Sequence, residues 1–101
     1  MLTFKEFQQA KDTVEKIVQI GIKSEDISNE TIKTTLKEAI TGVDKKDERT
    51  IYNFMGSLFL NVMINRINEL GENAKQYAII ARQMITELVK EESKKGEVKH
   101  V

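Results

Sequence analysis

The sequence contains no cysteine and only one histidine among its 101 residues. The missing cysteines exclude a disulfide framework and a thiolate metal site, and we expect a reducing compartment. Residues 1–6 lack the basic and apolar regions of a signal peptide, and no apolar run is long enough to cross a bilayer. These absences predict a cytoplasmic protein with no membrane partner.

Catalytic groups are equally scarce. The single histidine, His100, lies near the end of the chain, and the acidic residues are scattered among lysines rather than paired. The glycines stand alone, so no glycine-rich phosphate loop is present. We therefore expect no enzyme, no cofactor, no metal and no small-molecule substrate.

The net charge is zero, because 16 basic residues balance 16 acidic ones. Non-specific affinity for nucleic acid is largely phosphate neutralisation, so composition alone does not indicate such a partner. A role of that kind must depend on where individual side chains lie.

Two helix starts can be identified from their capping residues. Thr3 followed by Glu6 predicts a capping box for a first helix over residues 3–20, which Gly21 would end. Ser28 predicts the cap of a second helix that ends at Gly42. A charged turn follows.

Asp44 or Asp47 can cap a third helix that begins near Glu48. On a helical wheel, one face of this helix is centred on Arg49 and the opposite face is apolar. We expect the apolar face to pack in the core. The predicted outer face comprises Arg49, Tyr52, Asn53 and Gly56, and the predicted inner face comprises Ile51, Phe54, Met55 and Leu58.

Residues 61–80 allow two interpretations. Continuing the third helix to Leu70 would leave a wide apolar surface broken only by Ser57 and three asparagines, which argues for a change of structure. Residues 62–64 and 77–80 favour strands, and residues 71–75 offer turn chemistry, so we prefer a β-hairpin. The alternative is a fourth helix capped at Asn73, which makes the protein an all-α four-helix bundle.

A final helix is predicted over residues 81–95, within a single domain of residues 1–95, and residues 96–101 are expected to be a flexible tail. We expect two copies of the chain to form a symmetric homodimer, in which this helix makes the contact through Met84, Ile85 and Leu88. The alternative is that Met84 and Leu88 pack onto the first helix.

Residues 31–41 and 48–60, joined by a short turn, form a helix-turn-helix pattern. The stretches 36–44 and 47–58 resemble the helix-turn-helix of winged-helix DNA-binding proteins, most closely small archaeal, plasmid and viral ones. Residues 63–79 resemble the wing that follows. The resemblance covers about residues 28–80 and implies a mainly α (α+β) winged helix-turn-helix with extra N- and C-terminal helices.

The resemblance also implies a set of DNA-binding side chains. Those on or before the recognition helix are Lys45, Lys46, Arg49, Thr50, Tyr52 and Asn53, and those of the wing are Arg66, Asn73 and Lys75. Arginine can pair with guanine and asparagine with adenine. We therefore expect sequence-specific binding of double-stranded DNA, as a transcription regulator or a plasmid or viral maintenance factor. The alternative is a small helical adaptor or inhibitor that binds a protein through the apolar surfaces of its third and fourth helices.

Overall fold

The computed structural model describes residues 2–23 and 25–98. It describes all of their side chains except those of residues 67, 69, 70 and 92–98. The first helix, α1, spans Phe4–Ile22, and Thr3 is its N-cap. The Thr3 hydroxyl accepts a hydrogen bond from the Glu6 amide at 3.1 Å, and the Glu6 carboxylate accepts one from the Thr3 amide at 2.8 Å. The predicted capping box is confirmed, and it satisfies two amides that a helix start otherwise leaves unpaired.

The second helix, α2, spans Asn29–Glu38. The hydroxyl of Ser28 accepts a hydrogen bond from the Thr31 amide at 3.1 Å, as predicted for the cap. The helix ends before Gly42, which lies in the turn that follows and has a φ of 79°. This left-handed conformation favours glycine, because it crowds the Cβ atom of other residues.

A single 3-10 turn, Lys45–Asp47, leads into α3, which spans Glu48–Asn65. Neither Asp44 nor Asp47 forms the predicted side-chain cap. The last helix, α4, spans Ile67–Val98 and contains one residue with non-helical angles, Gly71, at φ 82° and ψ 174°.

The residues that the structure describes include no strand, so the predicted winged helix is wrong. The all-α bundle, which was the alternative, fits the observed architecture. The strand-favouring segments 62–64 and 77–80 are helical, because Val62 and Ala78 are buried and their neighbours pack against the core. This packing outweighs a weak preference for strands. The turn predicted at residues 71–75 is correctly placed, since Gly71 interrupts the helix there. It connects two helical segments, however, and not two strands.

Helices α1 and α4 hold the bundle together. Each contacts all of the other helices, whereas no Cα atom of α2 lies within 8 Å of a Cα atom of α3 in the described structure. The two helices of the expected helix-turn-helix are therefore present, but their backbones do not approach each other closely, and each lies against α1 and α4.

The buried side chains of the four helices form one core cluster. The inner face of α3 differs from the predicted one, because Tyr52 is buried with only 2% exposure while Leu58 is half-buried. The buried residues of α3 are Ile51, Tyr52, Met55, Phe59 and Val62. This set lies about 60° away from the predicted inner face, because α3 packs against both α1 and α4 and not against one neighbour.

Several polar contacts fix α2 and its connections. The Gln9 amide donates to the Glu38 carbonyl at 2.8 Å and to the Thr41 carbonyl at 3.1 Å, at the end of α2. The ammonium of Lys33 donates to the Glu91 carboxylate at 2.9 Å. That hydrogen bond and the negative charge of Glu91 raise the pKa of Lys33. Because this pair is partly exposed to solvent, we expect it to contribute little to the free energy of unfolding. Its main effect is to fix the position of α2 relative to α4.

The α1–α2 connection is attached to α4 through Tyr77. The Tyr77 hydroxyl donates to the Glu25 carbonyl and accepts from the Ile27 amide at 3.4 Å. One side chain of α4 thereby binds the backbone at both Glu25 and Ile27, some fifty residues earlier in the sequence.

Gly21 was predicted to end α1, and this was wrong. Gly21 is inside the helix and buried, and a Cβ atom built on it would lie 2.6 Å from the Cα atom of Ala74. Its role is therefore to let the backbones of α1 and α4 approach closely, which only glycine permits.

Residues 96–98 are part of α4, so the predicted tail is wrong for these residues. Residues 99–101, including His100, lie outside the described residues.

We predict that Gly21→Ala lowers the free energy of unfolding. The added methyl group meets the Ala74 backbone, and overpacking of this kind costs about 1–3 kcal/mol, which exceeds the gain of about 0.5–1 kcal/mol expected from helix propensity. Urea denaturation followed by circular dichroism measures the difference.

Gly56→Ala is the matched control, because Gly56 is also helical but a methyl group added to it would have no neighbouring atom within 4 Å. It should be neutral or stabilising. Equal stability changes in the two variants would contradict the close crossing of α1 and α4.

Candidate functional site

The side chains predicted to contact DNA from α3 and its preceding turn are mostly exposed. Tyr52 is the exception, because it lies in the core. Its inclusion in the contact face was wrong. The exposed members are Lys45, Lys46, Arg49, Thr50 and Asn53.

The side chains assigned to the wing lie elsewhere. Arg66 follows the end of α3, and its guanidinium lies 3.7 Å from the Glu15 carboxylate of α1. Asn73 and Lys75 are on α4 and not at the tip of a hairpin. Since Arg49 and Arg66 lie near opposite ends of α3, about 25 Å apart along its axis, the structure does not bring the two predicted groups together.

The side chains proposed for the dimer contact serve the core of the chain itself. Ile85 is buried, Leu88 is 3% exposed, and Met84 is half-buried against the core cluster. Their burial agrees with the alternative that this face packs within one chain, and whether Met84 and Leu88 pack onto the first helix stays a prediction. Homodimerisation itself stays a prediction.

An outward apolar surface remains on the helical hairpin of α3 and α4. Ile64 is 65% exposed and Leu60 is 39% exposed, and Leu60 is a helical neighbour of both Ile64 and the half-buried Met63. Met63 lines an open groove together with Ile79 and Arg82 of α4. We call these five residues, Leu60, Met63, Ile64, Ile79 and Arg82, the hairpin surface.

The groove of the hairpin surface has a volume of about 310 Å³ and is also lined by Gln83 and Thr86. No acidic side chain among the described residues pairs with the guanidinium of Arg82, which is exposed. The hairpin surface therefore combines two exposed apolar side chains of α3, Leu60 and Ile64, with a groove that holds the cation of Arg82, unpaired among the described residues.

Two other grooves differ in this respect. The groove of about 530 Å³ beside the exposed Phe4 is lined by polar groups that bind one another, such as Lys16 with Glu38 and Gln8 with Asp12. A third groove, of about 220 Å³, contains the Arg66–Glu15 pair. Of the exposed large apolar side chains, the first of these grooves has one, Phe4, and the second has none, whereas the hairpin surface carries Leu60 and Ile64 one turn apart. The hairpin surface is therefore the stronger candidate site.

Other kinds of site were sought within the described part of the chain. It contains no group of three or more histidine, aspartate or glutamate residues placed to hold a metal ion. None of its helices has the length and apolarity to span a membrane.

The chain was compared with known proteins in three ways. It matches no protein-family model, no curated protein and no solved structure. The function must therefore be argued from the surface itself.

We predict that Leu88→Asp prevents folding and does not give a folded monomer. An unpaired charge placed among buried side chains costs several kcal/mol, which is a large part of the stability of a domain this small. Loss of the helical circular-dichroism signal at 25 °C would show this.

Gln83→Asp is the control, because Gln83 is exposed on the same helix. It should remain folded. A folded, monomeric Leu88→Asp protein would instead support the expected dimer contact.

Proposed function

We propose that this protein is a non-catalytic binding module, an adaptor or inhibitor, that docks a protein partner on the hairpin surface. The observation that carries the proposal is the exposure of Ile64 and Leu60, one turn apart on α3, on the same helix as Met63, which lines the groove with Ile79. Contiguous apolar patches are uncommon on the surfaces of proteins that act alone, and they mark interaction sites. Scattered single apolar residues would need no such explanation.

The composition of the hairpin surface resembles the centre of a protein interface. Methionine and arginine are enriched at interfaces, and the fully buried centre of an interface is depleted in charge. Arginine is also one of the three residue types that are enriched among binding hot spots.

The groove is less suited to a small molecule. Small-molecule sites bury about 70–90% of the ligand surface, whereas the groove of the hairpin surface is open along its length and its exposed isoleucine projects from the helix. A macromolecule can cover this surface, and a small ligand cannot. We place this interaction in the cytoplasm, as the sequence led us to expect.

Photo-crosslinking tests the proposal. A photoreactive amino acid replaces Ile64, and in a second protein it replaces Gln19, which is exposed on α1. Both proteins are irradiated in extracts of the organism that makes the chain. We expect a discrete crosslinked protein from position 64 that is absent from position 19.

Leu60→Asp provides the matched loss-of-function variant. Leu60 is partly exposed, so the substitution should leave the helical circular-dichroism signal unchanged while it abolishes crosslinking from position 64. Crosslinking that is equal at both positions, or that survives Leu60→Asp, would contradict the proposal.

Duplex DNA binding is the second candidate, and the exposure of Lys45, Lys46, Arg49 and Asn53 over consecutive turns favours it. Here the measurement is the affinity for random duplex DNA as a function of salt. The slope of log affinity against log salt should be about −0.9 for each phosphate contacted.

Lys46→Ala should reduce this slope by about one contact. A slope near zero for the unaltered protein would exclude DNA as the partner and leave the protein-binding proposal standing.

A further inference from the structure

The neutral chain distributes its charge unevenly. Between Arg49 and Thr86, the stretch that contains the hairpin surface, the only acidic residues are Glu69 and Glu72. The basic residues there are Arg49, Arg66, Lys75 and Arg82. Arg66 is paired with Glu15, and Arg49 lies near the opposite end of α3, so the cations beside the hairpin surface are Lys75 and Arg82, both on α4.

Two of these cations lie along one side of α4. Lys75 is one turn before Ile79, and Arg82 is one turn after it, so both side chains are helical neighbours of the apolar residue at the groove. Arg82 lines the groove itself. Lys75 and Arg82 lie two turns apart, about 10 Å along the axis.

Given the proposed function, we infer that the partner segment is an acidic amphipathic helix lying in the groove between α3 and α4. Its apolar face covers Leu60, Met63 and Ile64, and carboxylates two turns apart on its flank meet Lys75 and Arg82. This is the helix-in-groove mode of peptide recognition, in which apolar side chains anchor the helix and charges set its register.

A helical partner fits the shape of the site better than an extended one. Residues 60, 63 and 64 form the i, i+3 and i+4 ridge that packs into the grooves of another helix. The described residues contain no strand and so offer no sheet edge on which an extended peptide could be added.

A second copy of this chain is a poorer occupant. A two-fold contact through the hairpin surface would bring together two identical sets of cations, which repel one another. Duplex DNA would neutralise the cations but would leave Ile64 and Leu60 without an apolar partner. The acidic helix satisfies both the charge and the apolar groups.

Fluorescence anisotropy with designed peptides tests this inference on the full chain. The probe is a synthetic helix of about 18 residues, which is about five turns, with a leucine stripe and flanking glutamates two turns apart. The control peptide carries lysines in place of those glutamates. We expect the acidic peptide to bind at least about tenfold more tightly than the basic one, a difference in affinity that the assay resolves readily.

Charge reversal on the protein gives the second measurement. Arg82→Glu should weaken binding of the acidic peptide by about tenfold or more and strengthen binding of the basic one. The new carboxylate repels the glutamates and attracts the lysines. Lys5→Glu, which reverses an exposed cation on α1, should change neither affinity. Both variants should keep the helical circular-dichroism signal.

Equal binding of the two peptides, or an Arg82→Glu protein with unchanged preference, would overturn the inference. If position 64 still captures a partner while the acidic peptide does not bind, the proposed function stands and only the chemistry of the partner is wrong. If the captured protein is another copy of this chain, the inference also fails. If neither experiment shows binding, both proposals fail.

Discussion

The backbones of α1 and α4 cross at Gly21 and Ala74 with no room for a larger side chain between them, and the arrangement of the other helices depends on this contact. It brings α4 close enough to α1 for Ala10, Ala78 and Ala81 to be fully or almost fully buried. The two helices together then form a surface on which α2 and α3 each pack. Because α1 and α4 cover only one side of α3, Leu60 and Ile64 remain exposed, and they form part of the hairpin surface.

The parts of the fold that local chemistry determines were predictable from the sequence. Thr3 with Glu6, and Ser28, mark helix starts because their side chains bond to amides only three residues away. Gly42 was likewise identified at a turn, although α2 ends a few residues before it. Such signals do not depend on the rest of the chain.

The parts that depend on distant packing were not predictable in this way. Gly21 suggests a helix end when it is considered alone, since nothing in its neighbourhood shows that Ala74 will lie against it. Tyr52 suggests a surface residue on a wheel that assumes one packing partner, but α3 has two. The strand-like segments of residues 61–80 suggested a hairpin for the same reason, because β propensity largely reflects how side chains pack.

The apolar residues of the candidate site can be identified in the sequence, but considered alone they argue against a helix through residues 60–64. A helix through residues 60–64 exposes apolar side chains, and for a protein without a partner that exposure indicates that the helix must end. The helix does continue to Asn65, so the exposed apolar groups are real and need a different explanation. Exposed apolar groups count against a proposed element only if the protein has no partner to cover them.

The attachment of Tyr77 to the α1–α2 connection has a consequence for synthesis on the ribosome. The backbone at Glu25 and Ile27 obtains its hydrogen bonds from a residue of α4, and α2 packs against α1 and α4 but not α3. While α4 is still in the exit tunnel, α2 and α3 can pack on α1 only. Although every helix is local, the contacts that order them are distant in sequence, and such contacts slow folding. The chain must release almost all of α4 before its N-terminal half can reach the native arrangement.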